Sequence, residues 1–423
     1  MKTLIIGGGM AGMAAAVAAA ARGDQVTLLE KNAKTLKKLG VTGNGRGNLL
    51  NSGAPVYYGN PDFAQSILTA VPYARLTAFW EGLGVPLRQG EEGRVYPAAL
   101  MASVAADALR LRAKQLRVTC HCHTRVLGLF SQGNGFRVEA EKKPSLPADP
   151  QKGNPSLPAP IPESYLADRV IVTAGGAAAP AQGTDGSGYG LLTGFGHTLI
   201  PVRPALSALL TEAAPISGLK GQRVRAKLSL FSGAAKAPVH TTVGEALFAE
   251  GGISGIAAMQ LARFVTKDCV LHMDLRPTIG KENESLDGLM SWLQALRELR
   301  RELPISELCT GFLPPPLSRA LLKAADITGL ERPIETLDSK ELTALAHTFT
   351  CFSLKVSGVR GFDHAQVTAG GIDPSDFHPL TLESRLKKGL YAAGEILDVD
   401  GDCGGFNLMF ALAGGLLAGQ SNT

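Results

Sequence analysis

The chain has 423 residues, of which 45% are hydrophobic and 19% are charged, and this composition is typical of a globular protein with two or three domains. No apolar run reaches the roughly 20 residues of a transmembrane helix, so we expect no membrane partner. The net charge of +5 is small and spread along the chain, which disfavours a nucleic acid partner. The six cysteines include no C-x-x-C pair, so we expect a reduced, cytoplasmic protein without a dithiol redox centre.

The first glycine cluster has the spacing of a dinucleotide-binding fingerprint. The apolar run 2–6 predicts a buried strand, and the fingerprint glycines after it are Gly7, Gly9 and Gly12. They permit a tight strand-to-helix turn, close approach of a diphosphate to the backbone, and close packing of the helix on the sheet. The segment therefore predicts a nucleotide site at the start of the first helix.

The residues after the fingerprint complete a βαβ unit. A helix is predicted over 11–21 and a strand over 25–29, and Glu30, directly after that strand, can accept the hydroxyl protons of an adenosine ribose. A secretory signal over 1–23 and a ligand-free glycine turn are the alternatives, and both are disfavoured because they leave Glu30 without a role. We expect the cofactor contacts of this segment to come from Gly7, Gly9, Met10, Ala11, Gly12, Glu30 and Lys31.

A second glycine-rich segment, residues 37–51, follows the nucleotide-binding unit. Its four glycines bury little surface and cost backbone entropy, so the segment predicts a loop rather than a core element. Backbone amides exposed by glycines can bind an anion or the edge of a flavin, and a solvated loop is the alternative. Its place just after the nucleotide site favours cofactor contact by Thr42, Gly43, Gly45, Arg46, Gly47 and Asn48.

Residues 118–130 predict one continuous strand that contains a Cys-His-Cys-His run at 120–123. Alternate residues of a strand face opposite sides, so the four side chains would not gather on one ion and no metal site is expected. In the same strand, Val126 can offer backbone hydrogen bonds to an adenine. A later buried strand ends in small residues, and we expect Ala174 and Gly175 to lie against the cofactor.

Changes in sequence pattern divide the rest of the chain. A proline-rich stretch that contains Pro-Ser-Leu-Pro-Ala twice, starting at 144 and 155, predicts a surface insertion in a hairpin. Residues 198–280 alternate as strands do, residues 281–347 are helical and charged, and the pattern of the first part then returns. We therefore predict a nucleotide-binding domain made of 1–197 and 348–423, with an inserted β-rich domain, 198–280, and a helical subdomain, 281–347.

The C-terminal part carries a second set of cofactor-binding signals. A strand over 390–393 ends in Gly394 and Glu395, and this carboxylate can bond a ribityl hydroxyl of a flavin. The glycine-rich turn at 404–407 precedes an apolar helix, whose positive end can stabilise negative charge on the N1–C2=O edge of a reduced flavin. A plain glycine-rich helix cap is the alternative. We favour cofactor contact by Gly394, Glu395, Gly404, Gly405, Phe406, Asn407 and Leu408.

Several motifs taken together resemble one family. They are the fingerprint with Glu30, the loop 42–51, and the segments 93–97, 252–255, 367–371 and 394–408. Over nearly its whole length the chain resembles FAD-dependent oxidoreductases that include the bile-acid-inducible enone reductase and aminoacetone-oxidase-like proteins. The resemblance implies FAD as cofactor and an α/β fold, with a Rossmann-like FAD-binding domain split in sequence. It also implies an inserted β-barrel-like domain and a small helical subdomain that cover the flavin.

These observations lead to a functional hypothesis. We expect an FAD-dependent oxidoreductase that exchanges a hydride with a small organic substrate, as a reductase of an activated double bond with NAD(P)H as donor. No second glycine fingerprint is present in the sequence, so NAD(P)H would visit the same pocket. The alternatives are an amine oxidase that uses oxygen and, in another class, a flavin-containing RNA-binding or RNA-modifying protein. No catalytic residue is assigned, because Arg46, His364, His378 and Cys403 each have an ordinary structural explanation.

Overall fold

The computed structural model describes residues 1–144, 159–233 and 235–421. The chain forms two compact units, of which the first consists of Met1–Arg203 and Gln366–Thr423 and the second of Pro204–Ala365. The predicted proline-rich insertion lies almost wholly outside the described residues. Among the described residues, no helix combines the length and the apolar character needed to cross a bilayer.

The elements follow in chain order. The N-terminal segment contains β1 (Lys2–Ile6), α1 (Met10–Ala21), β2 (Gln25–Leu29), β3 (Leu50–Asn51), β4 (Tyr57–Gly59), α2 (Pro61–Ala70), α3 (Tyr73–Gly82), β5 (Leu87–Gln89), β6 (Arg94–Pro97), α4 (Ala102–Gln115), β7 (Thr119–His121), β8 (Thr124–Gln132), β9 (Gly135–Lys142), β10 (Ile161–Ala167), β11 (Arg169–Val172), α5 (Tyr189–Thr193) and β12 (Leu199–Ala205). The second unit contains β13 (Leu209–Thr211), β14 (Arg223–Ser232), β15 (His240–Ala249), β16 (Gly252–Ser254), α6 (Ile256–Leu261), β17 (Cys269–Asp274), α7 (Leu286–Leu299), α8 (Pro315–Ala324), α9 (Ser339–Thr350) and β18 (Phe352–Val359). The chain then ends with β19 (Val367–Ile372), β20 (Leu390–Ala392), β21 (Val399–Gly401) and α10 (Phe406–Gln420).

The first unit is built on a parallel sheet of five strands in the order β20-β11-β1-β2-β7. Every residue of β11 and β20 is buried, as expected for a parallel sheet that is covered on both faces. Because parallel strands end at the same edge, the loops after β1, β2, β11 and β20 meet there. That edge is where the predicted nucleotide-binding residues lie.

The first and last helices of the chain pack closely because their contact is made by small residues. A Cβ atom at Gly415 of α10 would lie 2.3 Å from the carbonyl oxygen of Ala11 in α1. A Cβ atom at Gly419 would lie 2.5 Å from the carbonyl oxygen of Ala15. Only glycine permits the two backbones to approach so closely, and this contact brings the two ends of the sequence together.

A buried arginine caps the C-terminal end of α10. The Arg169 side chain is fully buried, and its guanidinium donates hydrogen bonds to the carbonyl oxygens of Ser421 at 2.6 Å and Ala418 at 2.8 Å. It lies 4.8 Å from the ring centroid of Tyr391 and 4.0 Å from the carboxylate of Asp24. A cation at this end of a helix satisfies the last carbonyl groups and opposes the helix dipole.

The second unit contains a closed six-stranded barrel in the order β13-β16-β15-β14-β17-β18. Buried side chains from the barrel and from α7, α8 and α9 belong to one hydrophobic cluster, which includes Leu228, Phe248, Leu271, Leu293, Leu321 and Phe349. A single core is therefore shared by the blocks 198–280 and 281–347, which were predicted to be separate. Helical and strand periodicity distinguish the two blocks in sequence, but they do not reveal that both bury their apolar faces together.

The end of the inserted unit differs from the predicted boundary at 347/348. Strand β18 pairs with β17 and β13 and closes the barrel, with Leu271 opposite Leu354 and Leu209 opposite Val359. The return to the first unit comes only at Gln366. The alternation of buried and exposed residues in β18 fits any half-buried strand, so it did not indicate which sheet the strand joins.

The predicted continuous strand over 118–130 is in fact two strands in different sheets. Strand β7 pairs with β2, β8 pairs with β9, and the chain turns between them at Cys122 and His123, where φ of His123 is +57°. The argument from alternating faces therefore does not apply to the Cys-His-Cys-His run. Within the described ranges, no group of three or more His, Cys, Asp or Glu side chains is placed to hold a metal ion.

Candidate cofactor site

The glycine turn after β1 has the geometry that the fingerprint predicts. Gly7 has φ of +102°, and a Cβ atom there would lie 2.6 Å from the carbonyl oxygen of Thr173. A Cβ atom at Gly12 would lie 1.9 Å from the carbonyl oxygen of Gly7, so this helix position requires glycine. A Cβ atom at Gly9 would meet no atom within 4 Å. Gly9 therefore leaves the backbone at the start of α1 accessible to a ligand, while Gly7 and Gly12 maintain the turn.

The carboxylate at the end of β2 is held in a fixed orientation. Glu30 Oε2 accepts a hydrogen bond from the Gly8 amide at 2.8 Å. Its Oε1 accepts from the Asn32 amide at 2.8 Å and from Asn32 Nδ2 at 2.7 Å. Glu30 is buried, so these donors offset the cost of removing the carboxylate from water. The carboxylate is thus fixed beside the glycine turn.

A cleft lies at this edge of the sheet. The predicted residues that line it are Gly7, Glu30, Lys31, Val126 and Ala174. Further lining residues that the sequence analysis did not select include Thr124, Arg125, Gly183, Gly188 and Leu191. The structure therefore brings together residues from five separate segments of the sequence. Several of the residues that are predicted to contact the adenosine therefore line one cleft.

A salt bridge crosses one side of the cleft. Lys31 Nζ lies 2.6 Å from Asp185 Oδ1, and Arg125 lies 3.9 Å from the other oxygen of that carboxylate. Burial raises the pKa of Asp185, but hydrogen bonds from Lys31 and Ser187 outweigh it and lower the pKa to about 2. Lys31 therefore connects the loop after β2 to the loop before α5.

The loop 42–48 divides into an exposed and a buried part. Thr42 is half-buried, Gly43, Gly45 and Arg46 are exposed, and Gly47 and Asn48 are buried. Asn48 is only 9% exposed, and its Oδ1 has no hydrogen-bond partner among the described residues. That oxygen would lie 2.8 Å from a Cβ atom at Gly405. A buried acceptor without a donor is costly, so this position is suited to a ligand that donates a hydrogen bond.

The turn before α10 is held in place by side chains from both ends of the sequence. Gly404 and Gly405 have φ of +140° and +105°, so both positions favour glycine. Asn51 Nδ2 donates to the Gly404 carbonyl oxygen at 2.8 Å, and Tyr57 donates to that of Phe406 at 2.8 Å. The side chain of Asn407 pairs with the backbone of Gly401, accepting at 2.8 Å and donating at 2.9 Å. The first amides of α10, including that of Leu408, therefore form a rigid positive helix end.

The motif after β20 lies against the first helix. A Cβ atom at Gly394 would lie 2.9 Å from the Ala11 Cβ atom, so glycine is needed for this close approach. Next to it, the Glu395 carboxylate is paired with Lys38 Nζ at 2.7 Å. Gly175 has φ of +77° and would place a Cβ atom 2.6 Å from Thr184, but it does not line the cleft. Met10 is buried at the first position of α1.

Cys403 precedes the turn of α10 and has a thiol that resists ionisation. Burial raises the pKa of this thiol, and the Arg94 guanidinium lowers it, while the carboxylates of Asp402 and Glu92 raise it further. The net effect is a raised pKa, so the group remains a protonated thiol at neutral pH.

Comparisons with known proteins agree with this arrangement. Residues 1–421 match the HI0933-like protein Rossmann domain family. The chain belongs to this family. The 3-dehydro-bile acid delta(4,6)-reductase of Clostridium scindens is 34% identical, and the similarity covers 99% of this chain and 98% of the relative. The ribosomal RNA dihydrouridine synthase of Escherichia coli is 24% identical over 96% of this chain and 94% of that protein.

Comparison with solved structures also gives matches at low similarity. The 3-ketosteroid-delta4-(5alpha)-dehydrogenase of Rhodococcus jostii covers 99% of this chain and 95% of its own, with 16% identity and a TM-score of 0.44. The family membership confirms the resemblance inferred from the motifs, and this chain is an FAD-dependent oxidoreductase. The predicted α/β fold with a Rossmann-like domain and an inserted barrel is confirmed as well.

Some residues of the site were not predicted from the sequence. Lys38 precedes the glycines of its loop and looks like an ordinary surface lysine. Thr173 donates through Oγ1 to the Gly7 carbonyl oxygen at 2.9 Å, and Asn51 and Tyr57 hold the turn of α10. Their roles depend on contacts between distant segments, for which the sequence contains no local signal. Asn51 belongs to the loop motif that resembles the family, and this resemblance is the indication in the sequence that it lies near the site.

Proposed function

We propose that this chain is an NAD(P)H-linked reductase of a carbon–carbon double bond that is conjugated to a carbonyl group in a small organic substrate. The observation that carries this proposal is the full-length similarity, at 34% identity, to a reductase whose name specifies the 4,6 double bonds of a 3-dehydro bile acid. A carbonyl at position 3 is conjugated to those double bonds. The shared chemistry is therefore the reduction of an activated double bond.

The residues present fit FAD, segment by segment. Glu30 and the backbone of Val126 would hold the adenosine, and the turn from Gly7 to Gly12 would hold the diphosphate. Glu395 would hold the ribityl chain, and the first amides of α10 would hold the pyrimidine edge of the ring. When bound, FAD supplies two-electron hydride chemistry at N5. The unpaired Asn48 Oδ1 and the open side of Gly9 are the two features of this structure that call for such a ligand.

The chain contributes orientation and charge. The amides at the start of α10 would offer partial positive charge to the pyrimidine edge of the ring, which gains negative charge when a flavin is reduced. Asn51 and Tyr57 hold this turn by donating hydrogen bonds to the carbonyl oxygens of Gly404 and Phe406. Arg46, two residues before Asn48 on the same loop, is exposed, so it is available to an anionic or carbonyl-containing substrate.

An anaerobic experiment tests this proposal. The purified protein, saturated with FAD and desalted, is titrated with NADPH and then with NADH while the visible spectrum is recorded. We expect one of the two to bleach the flavin bands, and a steroid with a 3-oxo group and conjugated double bonds to restore them. A bleached protein that is reoxidised by oxygen but by no unsaturated ketone would contradict the proposal. Reduction by a primary amine alone would instead identify an amine oxidase.

A second candidate is favoured by one observation, the similarity at 24% identity to ribosomal RNA dihydrouridine synthase. The double bond that becomes saturated in dihydrouridine is also conjugated to a carbonyl, so the same chemistry would serve. The small, dispersed net charge of +5 provides little attraction for RNA. Loss of uridine from ribosomal RNA on incubation with the reduced protein, together with salt-sensitive RNA binding, would establish this candidate in place of the first.

A further inference from the structure

The carboxylate of Glu395 is held by two donors from distant parts of the first unit. Lys38 Nζ lies 2.7 Å from Glu395 Oε2, and the Thr368 amide donates to Oε1 at 3.0 Å. The side chains of Lys38 and Glu395 are 25% and 20% exposed, so water screens this pair only partly. Each carboxylate oxygen thus has one donor and keeps further capacity to accept a hydrogen bond.

Both donors are themselves fixed. Thr368 is buried, and its Oγ1 accepts hydrogen bonds from the amides of Ala177 at 2.8 Å and Ala178 at 2.9 Å. Lys38 Nζ also lies 3.4 Å from the carbonyl oxygen of Ala178. The loop that carries Lys38 is tied to the glycine turn, because the Leu36 amide donates to the Gly8 carbonyl oxygen at 2.7 Å. The pair is therefore built into the edge of the sheet rather than formed by two freely moving surface side chains.

The positive charge of Lys38 offsets the negative charge of Glu395 close to the predicted diphosphate site. The same edge contains the turn that is suited to an anionic diphosphate, and each carboxylate there adds repulsion unless a cation offsets its charge. Glu30 is oriented by neutral amide donors, whereas Asp185 is paired with Lys31. Glu395 is oriented by a cation, which offsets its charge and fixes its direction at the same time.

We propose that Lys38 is a positioning residue for Glu395, so that the oriented and charge-compensated carboxylate accepts hydrogen bonds from the polyol hydroxyl groups of the cofactor. This inference rests on the proposed binding of FAD in the first unit. Lys38 acts through Glu395 and contributes to recognition of the ribityl chain, and it makes no required contact with the diphosphate. Ligands without a ribityl chain are therefore insensitive to Lys38.

The test compares two ligands on the full-length protein freed of flavin. Binding of FAD and of ADP, which has the diphosphate but no ribityl chain, is measured by calorimetry for Lys38→Met, Glu395→Gln and the double variant. We expect Lys38→Met to weaken FAD binding by about tenfold, the value of one hydrogen bond to a charged group, and to leave ADP binding unchanged. The double variant should be no weaker than Glu395→Gln alone, because Lys38 acts through Glu395.

Two variants serve as controls. Lys37→Met removes a neighbouring lysine of the same loop, whose Nζ donates to the Ala181 carbonyl oxygen at 2.7 Å, and it should change neither affinity. Lys38→Arg keeps a cation and should restore much of the FAD affinity, which shows that a loss in Lys38→Met is not due to misfolding. Equal weakening of ADP and FAD in Lys38→Met would overturn the proposal in favour of a diphosphate contact. Unchanged FAD affinity in Lys38→Met would also overturn the proposal, because it would show that the salt bridge between Lys38 and Glu395 has no role in cofactor binding. Failure of the unmodified protein to bind FAD would instead reject the proposed function.

Discussion

The contact between the first and last helices in one unit and the barrel in the other are packed in opposite ways. In the first unit, the contact between α1 and α10 depends on alanine and glycine, and polar groups gather where the strands of the sheet end. In the second unit, large side chains such as Phe248 and Leu228 fill a closed barrel. The contact between α1 and α10 is therefore sensitive to added atoms, and the barrel core is sensitive to removed atoms. The difference also indicates where a ligand site can form. Close approach of two backbones leaves amide and carboxylate groups available to a ligand, whereas the interior of a filled barrel has no space for one.

The largest effect should come from removing a core side chain of the barrel. Phe248 is 1% exposed, so Phe248→Ala should lower the free energy of unfolding by about 3–5 kcal/mol through lost burial and a residual cavity. Denaturant unfolding of the purified variant measures this. Phe130→Ala removes the same side chain from a 43% exposed position and is the matched control. Equal losses in both variants would show that the barrel core is not tightly packed.

Removing the buried cation at the end of α10 should have a somewhat smaller effect. Arg169→Met keeps an apolar stem but leaves the terminal carbonyl groups and the buried Asp24 without this guanidinium, at a cost of about 2–4 kcal/mol. The effect should appear as an earlier denaturant midpoint. A midpoint equal to that of the unmodified protein would mean that Arg22 and water replace Arg169 fully.

An added methyl group should lower the stability of the first unit at Gly12 but not at Gly9. Gly12→Ala should destabilise the flavin-free protein by about 1–3 kcal/mol, because the new Cβ atom would lie 1.9 Å from the Gly7 carbonyl oxygen. Gly9→Ala should retain the thermal midpoint of the flavin-free protein, since its Cβ atom meets no protein atom within 4 Å, yet it should bind FAD more weakly. A stable Gly12→Ala variant that retains FAD would contradict the close packing described for this turn.

Acid should weaken the first unit through Asp24. Burial raises the pKa of this carboxyl group, but hydrogen bonds from Thr3 and Arg22 outweigh burial and leave the pKa below its usual value. A carboxyl group whose pKa is lower in the folded state stabilises the fold above its unfolded pKa, and the contribution disappears as pH falls through the folded value. Asp24→Asn should therefore be less stable than the unmodified protein at pH 7, by about 1–2 kcal/mol, and the difference should close toward pH 2. A difference that is constant over this range would exclude ionic stabilisation.

The smallest effect is expected at the mouth of the cleft. Asp185→Asn breaks a partly exposed salt bridge with Lys31, so stability should fall by less than about 1 kcal/mol, and only at low ionic strength. Thermal midpoints at two salt concentrations measure this. A loss of stability that persists at high salt would show that the pair is structural rather than electrostatic.

What could be predicted from the sequence depends on whether the signal is local. The turn from Gly7 to Gly12, the acidic residue after β2 and the glycine-rich turn before α10 are each marked by residues that are neighbours in sequence. The role of β18 and the pairing of Lys38 with Glu395 depend on contacts between distant segments, and no local periodicity reports them. The turn at His123 could not be predicted, because few histidines adopt a left-handed conformation even though histidine does so more often than most residues.

The claim that the two ends of this chain together form one FAD site is tested by the visible spectrum of the FAD-saturated and desalted protein. We expect flavin bands that correspond to one FAD per chain, and their loss in Glu30→Ala, because that substitution removes the proposed ribose acceptor. A colourless protein after saturation and desalting would contradict the claim. Full flavin occupancy in Glu30→Ala would reject the assignment of the adenosine to the cleft beside β2.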